Sequence, residues 1–230
     1  MQTVVISDIH LGSKYCLLRE FLGFLRSLPD GVRLVLNGDV VDFWHAGLPP
    51  EHSRGLQALR EESRRRQVVW VRGNHDDRYE MPDPAAIEFV PIYNIGRRLV
   101  IAHGYDFDNI MPYNRMFIAC FRFLHAVRMR LGAEPTHVAF YAKRFPYLYG
   151  VLQRAVAMNA VEYASEKGYE AVTCGHTHLP EERVIRGIRY VNTGAWTESP
   201  VHYLLVSDTS LQLEQYKEND DGAQTILDKS

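Results

Sequence analysis

The sequence predicts an α/β domain in which two β-sheets pack face to face with helices outside. Three observations carry that expectation. Short apolar, β-branched runs alternate with segments of helical spacing through most of the chain. After Gly175 the texture changes to closely spaced short strands. The 230 residues, 46% of them hydrophobic, are enough for one large domain with a substantial core.

The elements follow in order. A first strand is expected over Thr3 to Ile6, then helical spacing from Leu17 to Leu28. Val32 to Leu36 and Val68 to Val71 read as buried strands, with a helix over Ser53 to Arg66 between them. The arginines from Arg60 to Arg66 are interleaved with Glu61 and Glu62, the pattern of a solvated helix face rather than a phosphate patch. Leu99 to Ala102 and Ala171 to Thr173 are further strands. Glu182 to Arg186 and Ile188 to Asn192 form a hairpin turned by Gly187, and Val201 to Ser207 and Leu211 to Tyr216 complete the set. Residues 1–216 therefore read as one domain carrying an insertion at about residues 105–168, and the polar, aperiodic stretch 217–230 as a flexible tail.

Composition narrows the function. A net charge of -2 gives no sign of a nucleic-acid surface, so no nucleic-acid partner is expected. Cys16, Cys120 and Cys174 are scattered without CxxC spacing, which suits a reducing compartment and small buried hydrophobes. The first strand follows Met1-Gln2 at once, leaving no room for a signal peptide, and no apolar run approaches the roughly 20 residues of a spanning helix. The expected location is cytoplasmic, with the inner face of a membrane as an option. Oligomeric state is left open.

Five polar clusters stand at the ends of the apolar runs: Asp8-Ile9-His10, Gly38-Asp39-Val40-Val41-Asp42, Gly73-Asn74-His75-Asp76, His103-Gly104 and Gly175-His176-Thr177-His178. In open α/β sheets ligands collect beyond the carboxyl ends of strands, so the clusters should converge at one edge. Asp8 and His10, two apart, can turn towards one cation. Asp39 can bridge two ions with its two oxygens, and Gly38 permits close approach of backbone. Asn74, His103, His176 and His178 complete a mixed nitrogen and oxygen donor set that suits manganese, iron or zinc better than calcium. Two divalent cations against the carboxylates of Asp8 and Asp39 leave a positive surplus that attracts an anion and acidifies a bound water to a pKa of about 7. His75, beside Asn74, is placed to protonate a leaving oxygen. Asp42 and Asp76 are expected to orient ligands from behind. The chemistry is hydrolysis of a phosphate ester or anhydride.

The insertion mixes large apolar side chains with cations over Met111 to Leu131 and Phe140 to Val156. Such a surface suits acyl chains and anionic head groups, or packing against the sandwich or another copy. Asp108, Arg115, Phe117, Phe121, Lys143 and Arg144 are the substrate-contacting candidates.

The ordered clusters resemble the calcineurin-like metallophosphoesterase superfamily from Val4 to about Tyr216. The resemblance implies a four-layer αββα sandwich. It also implies one metal held by Asp8, His10, Asp39 and His178, a second held by Asp39, Asn74, His103 and His176, and His75 as the leaving-group histidine. Within the superfamily, Gly38 to Trp44, His103 to Asp108 and Val191 to Ser199, together with the helical cap, are similar to the UDP-2,3-diacylglucosamine hydrolases of lipid A biosynthesis. Those enzymes cleave a UDP-linked diacylated sugar to UMP and the lipid phosphate, commonly with manganese. Two positions depart: His75 stands where that family has Arg, and Tyr105 where it tends to have an acidic residue. A soluble phosphodiesterase or phosphomonoesterase acting on nucleotides or other small esters is the alternative. A scaffold that has lost its metals is disfavoured by the full ligand set.

Overall fold

The structure is a computed structural model that describes residues 2–42, 45, 47–110, 115–133 and 141–217. The side chains of residues 115–118, 120–122 and 148 lie outside that description. The tail beyond residue 217 lies outside it as well.

In chain order the strands are β1 (Thr3–Ile6), β2 (Arg33–Asn37), β3 (Val68–Val71), β4 (Ile87–Val90), β5 (Tyr93–Ile95), β6 (Leu99–Ile101), β7 (Ala171–Cys174), β8 (Glu181–Ile185), β9 (Ile188–Asn192), β10 (His202–Val206) and β11 (Leu211–Gln215). Among the described residues the helices are α1 (Leu18–Ser27), α2 (Pro50–Arg65), α3 (Arg115–Arg130) and α4 (Pro146–Lys167), with a 3₁₀ turn at Tyr105–Phe107. One sheet has the order β11-β10-β1-β2-β3-β4 and the other β5-β6-β7-β9-β8. β1 to β4 run parallel, as do β6, β7 and β9. β10 and β11 close one sheet antiparallel, and β5 and β8 flank the other antiparallel.

The two-residue alternation of each strand sorts its side chains into layers. In the first sheet Val4, Ile6, Leu34, Leu36, Val68 and Trp70 face α1 and α2, where Phe21, Phe24, Leu25, Leu56 and Leu59 meet them. The intervening Val5, Val35, Val69 and Val71 point the other way and pack on Leu99, Ile101, Ala171 and Val191 of the second sheet. That sheet turns Val100, Val172, Cys174 and Tyr190 outward, onto Ala157, Ala160, Val161 and Ala164 of α4. The result is helix, sheet, sheet, helix. Fully burying each such side chain is worth about 1.5–3 kcal/mol, so the three apolar layers supply most of the drive to fold.

Three departures from the sequence reading have physical causes. β4 and β5 are edge strands of four and three residues, half exposed and too short to leave a periodic signature. The Arg60 to Arg66 face is not wholly solvated. Arg66 and Glu62 are buried together, with Arg66 donating to the carbonyls of Leu28, Pro29 and Val32 while Glu62 balances its charge. The second half of α4, although inside the expected insertion, is the outer layer of the sandwich over β7 and β9. The β8–β9 turn is made by Arg186 (φ 51°) and Gly187 (φ 81°), the left-handed pair of a type I′ hairpin.

Candidate active site

The polar clusters leave the carboxyl ends of β1, β2 and β3 in one sheet and of β6 and β7 in the other. The site therefore straddles the seam between two sheets, not the edge of one. Beyond the strands the loops remain zipped: Asp8 N–H donates to Gly38 O, His10 N–H to Asp39 O and Leu11 N–H to Val40 O, at 2.8–3.0 Å. Asn37 stitches the sheets just below, its amide donating to Ala102 O at 3.2 Å.

Five of the metal-ligand candidates sit in the left-handed backbone region: Asp8 (φ 55°), His10 (55°), Asp39 (52°), His176 (61°) and His178 (54°). Such conformations cost about 1–3 kcal/mol each outside glycine and persist only where the surroundings over-determine them. Here the reversal turns each ligand inward as its strand ends. Glycines make the room. A Cβ on Gly175 would overlap Asp8 Oδ2, and one on Gly73 would overlap Asp39 Oδ1. A Cβ on Gly38 would strike the His103 ring, so that glycine serves a ligand's ring more than the approach of backbone to metal.

Three overlapping sets of donor atoms each lie within 4.8 Å: Asp8, His10 and His178; His10, Asp39 and His75; and Asp8, Asp39 and His103. His178 Nε2 is 3.2 Å from Asp8 Oδ1, and His103 Nε2 is 3.3 Å from Asp39 Oδ2. His10 Nε2 and His178 Nε2 face each other at 3.3 Å. Two imidazole nitrogens and a buried carboxylate aimed at one point suit a cation between them. His103 Nδ1 donates to Asn37 O at 2.8 Å, which fixes the tautomer that leaves Nε2 as a donor to metal. The buried residues thus fit divalent metal ions.

The remaining candidates occupy the rim or the support. His176 Nδ1 lies 3.1 Å from Asn74 Oδ1, and its Nε2 is 3.0 Å from Asp108 Oδ2. Asp108 is buried, with its carboxylate against the His176 ring. Asp42 Oδ1 is 2.9 Å from His75 Nδ1, and Asp42 Oδ2 is 3.5 Å from His10 Nδ1. Asp76 acts through backbone, accepting from Val40 N–H, Gly73 N–H and the Trp70 indole, so it ties two ligand loops together. Lys143 donates to His178 O and Arg144 is exposed. The side chains of Arg115, Phe117 and Phe121 lie outside the described residues.

The electrostatics are those of a compact cage of acids and imidazoles in the metal-free protein. Burial pushes Asp8 and Asp39 up, but the neighbouring imidazoles, His178 for Asp8 and His103 for Asp39, more than reverse it and hold both carboxyls below the usual range. Burial opposes charge on His103, yet Asp39 and Asp8 raise it to about 10. On His75 burial is likewise outweighed, by the Asp42 hydrogen bond and the Asp39 charge, and its pKa rises to about 9. Burial and the Asp39 charge push Asp76 up to about 6. Burial holds His178 below its ordinary value.

Several supports carried no motif of their own in the sequence. Asn192 donates to Gly175 O and Thr177 Oγ1 beneath the histidine loop. His52 accepts Gly12 N–H at 2.7 Å behind His10. Lys143 pairs with Glu198, and the Tyr149 hydroxyl donates to Thr177 O. Asn192 and Glu198 fall inside the Val191 to Ser199 stretch, which is the one signal that could have found them.

Comparison with known proteins follows the same line. The chain matches the model of the calcineurin-like phosphoesterase superfamily domain over residues 1–210. Among curated proteins it is 26% identical to the DNA polymerase II small subunit of Thermoplasma acidophilum, over 83% of this chain and 44% of that one, so it spans less than half of that relative. Similar solved structures include a novel archaeal phosphodiesterase (12% identity, 94% of this chain and 100% of that one, TM-score 0.49). They also include the phosphoesterase YfcE of E. coli (19% identity, 92% and 91%, TM-score 0.47). On the family match over nearly the whole described sandwich, the chain belongs to the calcineurin-like phosphoesterase superfamily.

Proposed function

We propose that the protein hydrolyses the pyrophosphate bond of UDP-2,3-diacylglucosamine, releasing UMP and 2,3-diacylglucosamine 1-phosphate for lipid A biosynthesis. As a member of its family the protein is a metal-dependent phosphoesterase. The lipid-linked substrate rests on one observation above others. Among the described residues, six of the seven exposed large apolar side chains are Phe123, Leu124, Leu131, Phe145, Tyr147 and Val151, all in the insertion. Leu131 is 82% exposed and Tyr147 78%. Arg128, Arg130 and Arg144 stand among them. Apolar area beside cations is what an acyl chain with a phosphate-bearing head requires, and each methylene buried contributes about 0.8 kcal/mol. No helix among the described residues is long and apolar enough to cross a membrane; the contact proposed for the insertion is peripheral, at a membrane's inner face.

Asp8, His10, Asp39 and His178 would hold one ion, and Asp39, Asn74, His103 and His176 the other. Bound there, the ions supply a Lewis acid for the phosphate oxygens and lower the pKa of water, with manganese favoured and iron or zinc also suited to these donors. The chain's own contribution is orientation and a proton. Asn74 and His75 are exposed on the rim, where a phosphate would arrive. With Nδ1 engaged by Asp42, His75 presents Nε2–H to the leaving oxygen. In the metal-free protein the Asp42 hydrogen bond and the Asp39 charge outweigh burial and raise the pKa of that ring to about 9.

A second reading is favoured by His75 itself, which stands where the diacylglucosamine hydrolases carry Arg: a phosphodiesterase or phosphomonoesterase acting on nucleotides or other small esters. The DNA polymerase subunit is matched over 44% of its own length, and with a net charge of -2 we propose no nucleic-acid partner in either reading. Manganese-loaded protein offered UDP-diacylglucosamine, an aryl phosphodiester and an aryl phosphomonoester side by side tests the assignment. The lipid nucleotide should show the highest kcat/KM. Equal or better turnover of either aryl ester would move the assignment to small soluble esters.

A further inference from the structure

The histidine loop Gly175 to His178 has two consecutive ligand-bearing turns in the left-handed region, at His176 and His178. Something must hold them. From below, Asn192 donates to Gly175 O and Thr177 Oγ1. From above, the partners come from the insertion: the Tyr149 hydroxyl donates to Thr177 O, and Lys143 Nζ donates to His178 O at 2.6 Å. Lys143 is in turn paired with Glu198, at the end of the loop that follows β9. Two adjacent carbonyls of the metal loop are thus capped by two side chains of the insertion. A carbonyl that accepts an ammonium proton cannot rotate without breaking a charge-assisted bond in a partly buried place, where such bonds are strongest.

We propose that Lys143, braced by Glu198 and assisted by Tyr149, is a positioning residue: it clasps the insertion to the histidine loop and fixes the His178 backbone so that the ring points at Asp8 and His10. The insertion is then part of the metal site and not only a cover for substrate. The inference rests on His178 being a metal ligand and is independent of which ester is hydrolysed. It also gives Lys143 a different task from the substrate contact that its charge suggests.

The test is manganese binding to metal-free protein, measured by calorimetry without substrate, beside steady-state turnover of a small aryl phosphodiester. Groups that orient ligands typically change metal affinity or activity by about 10–100-fold when removed. Lys143→Met should weaken manganese binding by about that factor and lower kcat, with KM for the small ester nearly unchanged. Lys143→Arg, which keeps charge and donors, should recover much of the loss. Tyr149→Phe, which removes only the hydroxyl, should show a smaller loss of the same kind and guards against misfolding of the lysine variant. Wild-type manganese affinity in both Lys143→Met and Tyr149→Phe would overturn the clasp. So would a loss confined to KM, which would make Lys143 a substrate contact. His178→Ala is the control for the ligand reading: if it binds manganese as wild type does, that reading fails and the clasp with it.

Discussion

At the scale of single residues, the site is defined by which groups keep protons and which give them up. In the metal-free protein Asp42 and Asp39 raise His75 to a pKa of about 9 against the pull of burial, and the Asp42 hydrogen bond on Nδ1 orients the ring as a proton donor. His75→Ala should therefore slow esters with poor leaving groups by about 10²–10⁴-fold and activated aryl esters far less, with metal content unchanged. Equal losses on both would show that the ring only positions phosphate. The pH dependence of the metal-free protein has a definite sign. His103 is raised from 6.5 to about 10, so its contribution to stability is fully present below 6.5 and is lost as pH rises through 10. Asp76, raised from 3.8 to about 6, loses its contribution as pH rises through 6, below this window; within it His75, raised to about 9, acts with His103, and Lys143, lowered from 10.5 to about 8, acts against them. Thermal unfolding of metal-free protein should accordingly occur at lower temperature at pH 9.5 than at pH 6.5. Apparent manganese affinity should rise over the same interval, because metal must displace the His103 proton. A flat affinity profile would remove His103 from the ligand set.

At the scale of elements, strands aim the site and helices cover it. Each ligand stands where a parallel strand ends, and Gly38, Gly73 and Gly175 leave the space taken by His103, Asp39 and Asp8. Gly175→Ala is informative because the new methyl meets the Asp8 carboxylate together with the buried Ser7 side chain beside it. It should cost about 1–3 kcal/mol of overpacking and reduce bound metal, seen together in a melt and a metal analysis. Unchanged metal content would mean that Asp8 has freedom the geometry denies it. The insertion is tested from its outer face. Phe123 and Leu124 are exposed, so replacing both with Glu should leave stability within about 0.5 kcal/mol per site. If acyl chains lie there, turnover of the diacylated substrate should fall while a water-soluble phosphodiester is unaffected. Parallel losses on the two substrates would instead mark the face as structural.

At the scale of the whole molecule, metal and fold are linked through the seam between the sheets. The cage gathers Asp8, Asp39, His10, His103 and His178, all buried, from both sheets. Ions bound there join the two halves and stabilise only the native state. At a free metal concentration of 100 times Kd that linkage amounts to about 2.7 kcal/mol per site. Chelation should thus lower the melting temperature and re-addition of manganese restore it. A melting temperature indifferent to metal would be inconsistent with a cage at this seam.

Much of this architecture was legible in the order of residues. The unbroken apolar runs Val4-Val5-Ile6, Leu34-Val35-Leu36 and Val68-Val69-Trp70 already specify strands that are apolar on both faces, hence a sheet covered twice. The residue types at the strand ends are those that hold metal, because only a few side chains have the right lone pairs. What the sequence determined by itself was local: the period of each element, the chemistry of each cluster, and the glycine beside it. What only the tertiary structure decided was partnership across long separations. That β3 neighbours β4, that Asp108 lies against His176, that Arg66 is buried on Glu62 and three carbonyls, and that Lys143 meets Glu198 and His178, has no periodic trace. Periodicity records which face of an element is apolar, while the identity of the group packed against that face is set by how the layers close on one another.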